Sequence, residues 1–160
     1  LMEILIVIAL ISVISVFAIP GIMSWLPDYR LKSAARDARA NFQKAKLTAI
    51  RERANCALEK IDGGYKVYVD KVDGEQVIAE VNWADEYGGD VKFKAFKDDD
   101  DTDIDWIAFQ PNGLPRNPVD VLAGGVLTIK LVGGEKTFEI QVTPAGIIRT
   151  HADWIDENIQ

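Results

Sequence analysis

Carboxylates stand at alternate positions in the run Asp98-Asp99-Asp100-Asp101-Thr102-Asp103-Ile104-Asp105. Hard cations such as Ca²⁺ take several oxygen ligands, so Asp99, Asp101, Asp103 and Asp105 are the chain's candidate metal ligands. The run lacks the loop glycine and distal glutamate of an EF-hand, and a solvated loop between strands is the favoured reading. Other chemistry has fewer means. The chain holds one cysteine, Cys56, and one histidine, His151. No Ser or Cys stands near His151, and there is no nucleophile elbow, phosphate-binding glycine loop or metal-ligand triad. The expectation is a protein that is not an enzyme and needs no cofactor. A single cysteine excludes an intramolecular disulfide, and Cys56 reads as a free, buried thiol.

The carboxylate in the least usual setting is Glu3. It sits at the head of an apolar run from Leu1 to Leu26 whose only other polar side chains are three serines. At about 1.5 Å per residue the run is long enough to cross a bilayer core of roughly 30 Å. A carboxylate held deep and unpaired there costs about 2.5–3.5 kcal/mol, so Glu3 calls for a cationic partner. The first basic residue is Arg30, on the order of 40 Å away along a continuous helix. The partner therefore comes from another chain, from a group ahead of Leu1, or from interfacial water. No basic n-region or small-residue cleavage site marks the run as a signal peptide. Pro20 removes a backbone donor, and Gly21 eases the change, so the helix is expected to kink or open locally there.

The elements that must position these groups follow from periodicity. Asp28 can cap a helix running to about Ala54. Within it Leu31, Ala34, Ala35, Ala38, Phe42, Ala45, Ala49 and, at its margin, Ile50 recur at three- and four-residue steps, and the alanines permit close approach of a sheet. After Asn55 the period changes to two. Tyr65, Val67 and Val69 alternate with polar residues between Asp62-Gly63-Gly64 and Asp73-Gly74, which reads as a hairpin. Further strands are expected at Val77–Trp83, Val91–Phe96 and Ile104–Phe109, and a meander at Val126–Val132, Lys136–Val142 and Gly146–Thr150. The fold class is α+β: one long apolar-to-amphipathic helix against one or two antiparallel sheets. The implied divisions are 1–27, the apolar helix; 28–55, its amphipathic half; and 56–160, a β-rich domain.

Charge is segregated along this plan. From Leu1 to Arg53 eight cations face four carboxylates, a net +4 that leaves −11 for the remainder of a chain whose total is −7. Such asymmetry could steer a polyanion to the helix, or let the basic helix of one subunit meet the acidic domain of another; a solvated helix face is the plainer alternative.

Leu-Met-Glu-Ile-Leu-Ile-Val-Ile-Ala-Leu-Ile-Ser-Val, with Pro20 near the end of the apolar run, resembles the N-terminus of type IV pilins and type II secretion pseudopilins. The resemblance implies that Phe and one more residue, behind a basic leader cut by a prepilin peptidase, precede Leu1. It makes Glu3 the assembly glutamate that pairs with a neighbouring subunit's terminal amine, and Pro20 the helix-kinking proline. Glu3 also argues against a tip subunit of the kind that lacks it. A second resemblance lies in Trp106-Ile107-Ala108-Phe109-Gln110-Pro111-Asn112-Gly113, Gly125-Val126-Leu127-Thr128-Ile129, Phe138-Glu139-Ile140-Gln141-Val142 and Thr143-Pro144-Ala145-Gly146-Ile147-Ile148-Arg149. These are similar to GspH/FimT-type minor pilins and pseudopilins.

The function so implied is that of a structural subunit. It would sit in the bacterial inner membrane as a single-pass protein, then pass through an assembly platform into a periplasmic or extracellular filament of itself or other pilins. The alternative is a minor pilin that binds DNA for uptake. Members that do so resemble one another in a Gly-Arg-x-Arg element, of which Gly146-Ile147-Ile148-Arg149 keeps only Arg149. Affinity for DNA depends on the number of phosphates neutralised, and one arginine in an acidic domain is a poor receptor.

Overall fold

A computed structural model describes residues 2–72, 74–89, 91–97, 103–116, 127–133 and 136–154; at 16–24, 92–95, 97, 127–133 and 152–154 it describes the backbone only. The first element is a single α-helix, α1 (Met2–Glu52). Its backbone is helical through Pro20, Gly21 and Pro27, so the local opening expected at Pro20 is not a break in the helix; one lost N–H bond is tolerated where many others hold. The side chains of Pro20 and Gly21 lie outside the described residues. Asp28 is likewise not a cap. It stands inside α1, and its carboxylate meets the ammonium of Lys136 instead. The helix ends at Glu52, where Arg53 takes φ 53, a left-handed conformation that turns the chain out of the helix.

Two five-stranded antiparallel sheets follow. The first, in the order β3-β2-β1-β6-β7, contains β1 (Cys56–Ile61), β2 (Gly64–Lys71), β3 (Gly74–Asn82), β6 (Trp106–Phe109) and β7 (Pro115–Arg116). The second, in the order β10-β9-β8-β4-β5, contains β4 (Val91–Lys97), β5 (Asp103–Ile104), β8 (Leu127–Gly133), β9 (Lys136–Val142) and β10 (Ile148–Trp154). A short helix, α2 (Trp83–Tyr87), joins β3 to β4.

Asp62-Gly63 link β1 to β2, with Gly63 at φ 75. The alternation of Tyr65, Val67 and Val69 places all three in the core. The strand expected over Ile104–Phe109 divides. Asp103–Ile104 pairs with β4 in the second sheet, whereas Trp106–Phe109 pairs with β1 in the first. Asp105 is the point of exchange, and its carbonyl accepts a hydrogen bond from Lys60 N at 2.8 Å. Trp83 is not the end of a strand but the first residue of α2, because Asn82 caps that helix by accepting from Ala84 N at 3.1 Å.

The core lies where α1 meets both sheets. Leu31, Ala34, Ala35, Ala38, Phe42, Ala45 and Ala49 are buried, as the helical stripe requires. The alanines bring the sheets close to the helix axis. Phe42 fills the space so defined, edge-on to Phe109 with ring centroids 6.3 Å apart.

Candidate assembly helix and its surroundings

α1 has two unlike halves. From Leu31 onward its apolar side chains are covered by the sheets, whereas from Met2 to Ile14 they are exposed on every side, from 50% at Val7 to 81% at Met2. Burying one such aliphatic side chain stabilises by about 1.5–3 kcal/mol. An uncovered cylinder of nine or ten of them is therefore a surface for apolar surroundings, whether lipid or other helices. The two serines in this half suit that setting. Ser12 Oγ donates to Ile8 O and Ser15 Oγ to Ile11 O, each at 2.8 Å, so neither hydroxyl needs water. Among the described residues no helix is long and apolar enough to cross a membrane. Met2–Ser15, where side chains are described, covers only about 20 Å at 1.5 Å per residue. Glu3 is exposed at the head of this half, one turn from its end.

The covered half is fastened to the domain by polar contacts along its flanks. Tyr87 Oη donates to Asp37 Oδ2 at 2.8 Å, and Asn41 Nδ2 donates to Tyr65 Oη at 2.9 Å. Tyr65, Trp83 and Tyr87 stack in sequence, with centroids 5.7 and 5.3 Å apart. Burial, and then the hydrogen bond to Asp37, raise the Tyr87 hydroxyl well above the usual range. Burial also pushes the Tyr65 hydroxyl up to about 12 and the Cys56 thiol up to about 11. These are acids that the fold keeps neutral, so the unfolded chain ionises first. Their contribution to stability is complete while the unfolded thiol stays protonated, falls as pH rises through the unfolded values of 9.0 for Cys and 10.0 for Tyr, and is lost at Cys56 before Tyr65 and Tyr87. The expected loss from Cys56 and Tyr65 together is at most about 5 kcal/mol, read from urea midpoints as pH rises from about 8 to 12, and Tyr65→Phe should flatten its upper part.

The two Pro-x-Gly turns are built alike and stand side by side. Gly113 N donates to Gln110 O at 2.8 Å and Gln110 N to Leu114 O at 2.9 Å; Gly146 N donates to Thr143 O at 2.7 Å and Thr143 N to Ile147 O at 3.0 Å. Each is a three-residue connection in which proline sets the turn and glycine, at φ 79 or 71, takes the left-handed position. Lys46 of α1 reaches over both and donates to Gly146 O at 2.8 Å. A Cβ on Gly146 would lie 2.5 Å from Gly113 O. Gly146→Ala is therefore expected to destabilise by about 1–3 kcal/mol, measured as a lowered thermal midpoint.

The remaining candidate residues fall elsewhere. Arg149 is exposed on the edge strand β10, opposite Gln141, with His151 two residues on and opposite Glu139. No second arginine accompanies it in that register. Asp103 and Asp105 are exposed on either side of buried Ile104. Asp99 and Asp101 lie outside the described residues, and among the described residues no group of three or more His, Cys, Asp or Glu side chains could hold a metal. Cys56 is buried at the start of β1.

No family model and no curated protein matches this sequence. Solved structures do match its fold. The type IV minor pilin FimU of Pseudomonas aeruginosa is 16% identical with a TM-score of 0.54 over 75% of this chain and 91% of its own, and in a second crystal form 15% identical with 0.57 over 78% and 90%. The minor pseudopilin EpsH of the Vibrio cholerae type II secretion system is 10% identical with a TM-score of 0.58 over 77% of this chain and 97% of its own. At such identities the likeness establishes architecture: a long helix on antiparallel sheets, as in minor pilins and pseudopilins.

Proposed function

We propose, from the fold shared with type IV minor pilins and pseudopilins, that this chain is a subunit of a pilus-like or pseudopilus filament. The observation that carries the reading is the division of α1, whose second half is covered by its own domain while the apolar side chains of Met2–Ile14 are exposed and packed against no other element among the described residues. Before assembly that half sits in the inner membrane with the domain outside. On assembly it exchanges lipid for the helices of other subunits. Glu3 sets axial register by pairing with a neighbour's terminal amine, because a misplaced subunit would leave a carboxylate unpaired in an apolar bundle. Pro20 and Gly21 lend the helix a place to bend during the transfer. Prepilin peptidase and an inner-membrane platform are the partners that this course requires. DNA uptake is the weaker proposal, resting on Arg149 and the basic face of α1.

Electron microscopy of filaments sheared from cells expressing the chain, with mass spectrometry of their protein, tests the reading. The chain is expected in the filament fraction, as bulk or minor component. Its presence only as a dispersed membrane protein in cells that make filaments would refute the proposal.

A further inference from the structure

The charges on the covered half of α1 are treated unequally. Its three carboxylates turn to the flanks and are engaged by the chain itself: Asp28 with Lys136, Asp37 with Tyr87, and Glu52 with Arg51 and Lys71 at 3.1 and 3.5 Å. Lys32, Arg36, Arg39 and Lys44 are all exposed. At 100° per residue Lys32, Arg36 and Arg39 fall within about 60° of one another and form a basic crest about 10 Å long along one flank of the alanine stripe, whereas Lys44 lies about 80° farther round, beside Val69 and Gln76 of the first sheet. Among the described residues, no carboxylate is within ion-pair distance of any of the four.

The complement lies elsewhere on the molecule. A cleft of about 780 Å³ opens between β1, α2 and β4, lined by Glu59, Asp62 and Asp105 together with Trp83 and Val91. Lys60 is the cation in its lining, and no residue of α1 contributes to it. Glu59 is already paired with Lys66 at 2.8 Å, so Asp62 and Asp105 are the cleft's open carboxylates. Asp85 and Glu86 are exposed next to it on α2. Crest and cleft are thus separate surfaces of one chain and of opposite sign. Two different surfaces that complement each other join copies head to tail, and such a contact propagates instead of closing.

We propose that the basic crest of α1 in one copy seats in the acidic cleft of a second copy. The charged heads of the crest reach Asp62 and Asp105, which are exposed at the mouth of the cleft. The setting is the filament of the preceding section, and the contact adds to the helix bundle a second interface between the domains.

The test uses the full chain in detergent micelles, light and heavy isotope forms mixed, treated with a zero-length carbodiimide that joins lysine to carboxylate. Light-to-heavy amides from Lys32 to Asp62 or Asp105 are expected. Their yield should fall by about fivefold or more on going from low salt to about 1 M, where the screening length is ~3 Å. Arg36→Glu with Arg39→Glu should lower the yield about tenfold, and adding Asp62→Lys with Asp105→Lys should restore intermolecular amides with the polarity exchanged, from the carboxylates introduced at positions 36 and 39 to the amines introduced at 62 and 105. No intermolecular amides from Lys32, or the same yield after charge reversal, would overturn the proposal. So would duplex DNA held by the crest without any chain-to-chain amide. Because the assay needs no filament, failure to polymerise would count against the functional reading alone.

Discussion

Glu3→Ala should abolish filament formation, or slow it by two orders of magnitude, and leave the β domain as stable as before. The size follows from the setting. A carboxylate that is paired only in the correct register is worth about 2.5–3.5 kcal/mol when it would otherwise be unpaired among apolar helices. Each 1.4 kcal/mol is a factor of ten in an equilibrium. The separation from stability follows from the structure: Glu3 lies far along α1 from Leu31, where the packed half begins, and its neighbours Ile4, Leu5 and Ile6 are exposed. Filament yield by sedimentation and domain stability by urea melting should thus part company. Normal yield from the alanine variant would show that register is set elsewhere, and a shifted urea midpoint would show that Glu3 serves the fold.

Phe42→Ala should do the reverse, costing the domain about 3–5 kcal/mol while leaving the apolar half of α1 untouched. Phe42 is wholly buried in a stripe otherwise made mostly of alanine, so no larger neighbour on the helix can close the space that its ring leaves. Phe109 loses its edge-to-face partner in the same step. Against a typical total of 5–15 kcal/mol, much of the chain would be unfolded or proteolysed at growth temperature. A urea-derived loss below about 1 kcal/mol would mean that Phe42 is not what holds helix to sheets.

The parts legible in the sequence were those written in local pattern. The stripe from Leu31 to Ala49 repeats at helical spacing and is buried throughout, whereas Ile50, read as its last member, is exposed. Pro-x-Gly at 111–113 and 144–146 announces two turns, and both form. What escaped was decided by distant partners. Asp105 moves the chain from one sheet to the other with no glycine or proline to mark it, because pairing of Asp103–Ile104 with β4 and of Trp106–Phe109 with β1 makes the change. β1 itself was missed, since apolar Ala57 and Ile61 on its outer side blur the alternation of Cys56 and Leu58. Trp83 has the residue type of a strand and is claimed by the cap at Asn82. Asp28 after Pro27 looks like a helix start, yet the preceding apolar helix simply continues and frees the carboxylate for Lys136. The candidate site divides in the same way. That Glu3 needs a cation could be read from its apolar neighbours, whereas the crest and cleft required knowing which of the helix's charges the domain engages.

In the proposed filament, Met2–Ile14 of one copy is buried against the same helix in other copies. A benzophenone side chain placed at Ile8, activated in assembled filaments and followed by peptide mapping, asks that question directly, whatever the axial register. Adducts to residues within the first half of α1 of a second copy are expected. Adducts to lipid or to the β domain alone, in filaments that have formed normally, would contradict that burial.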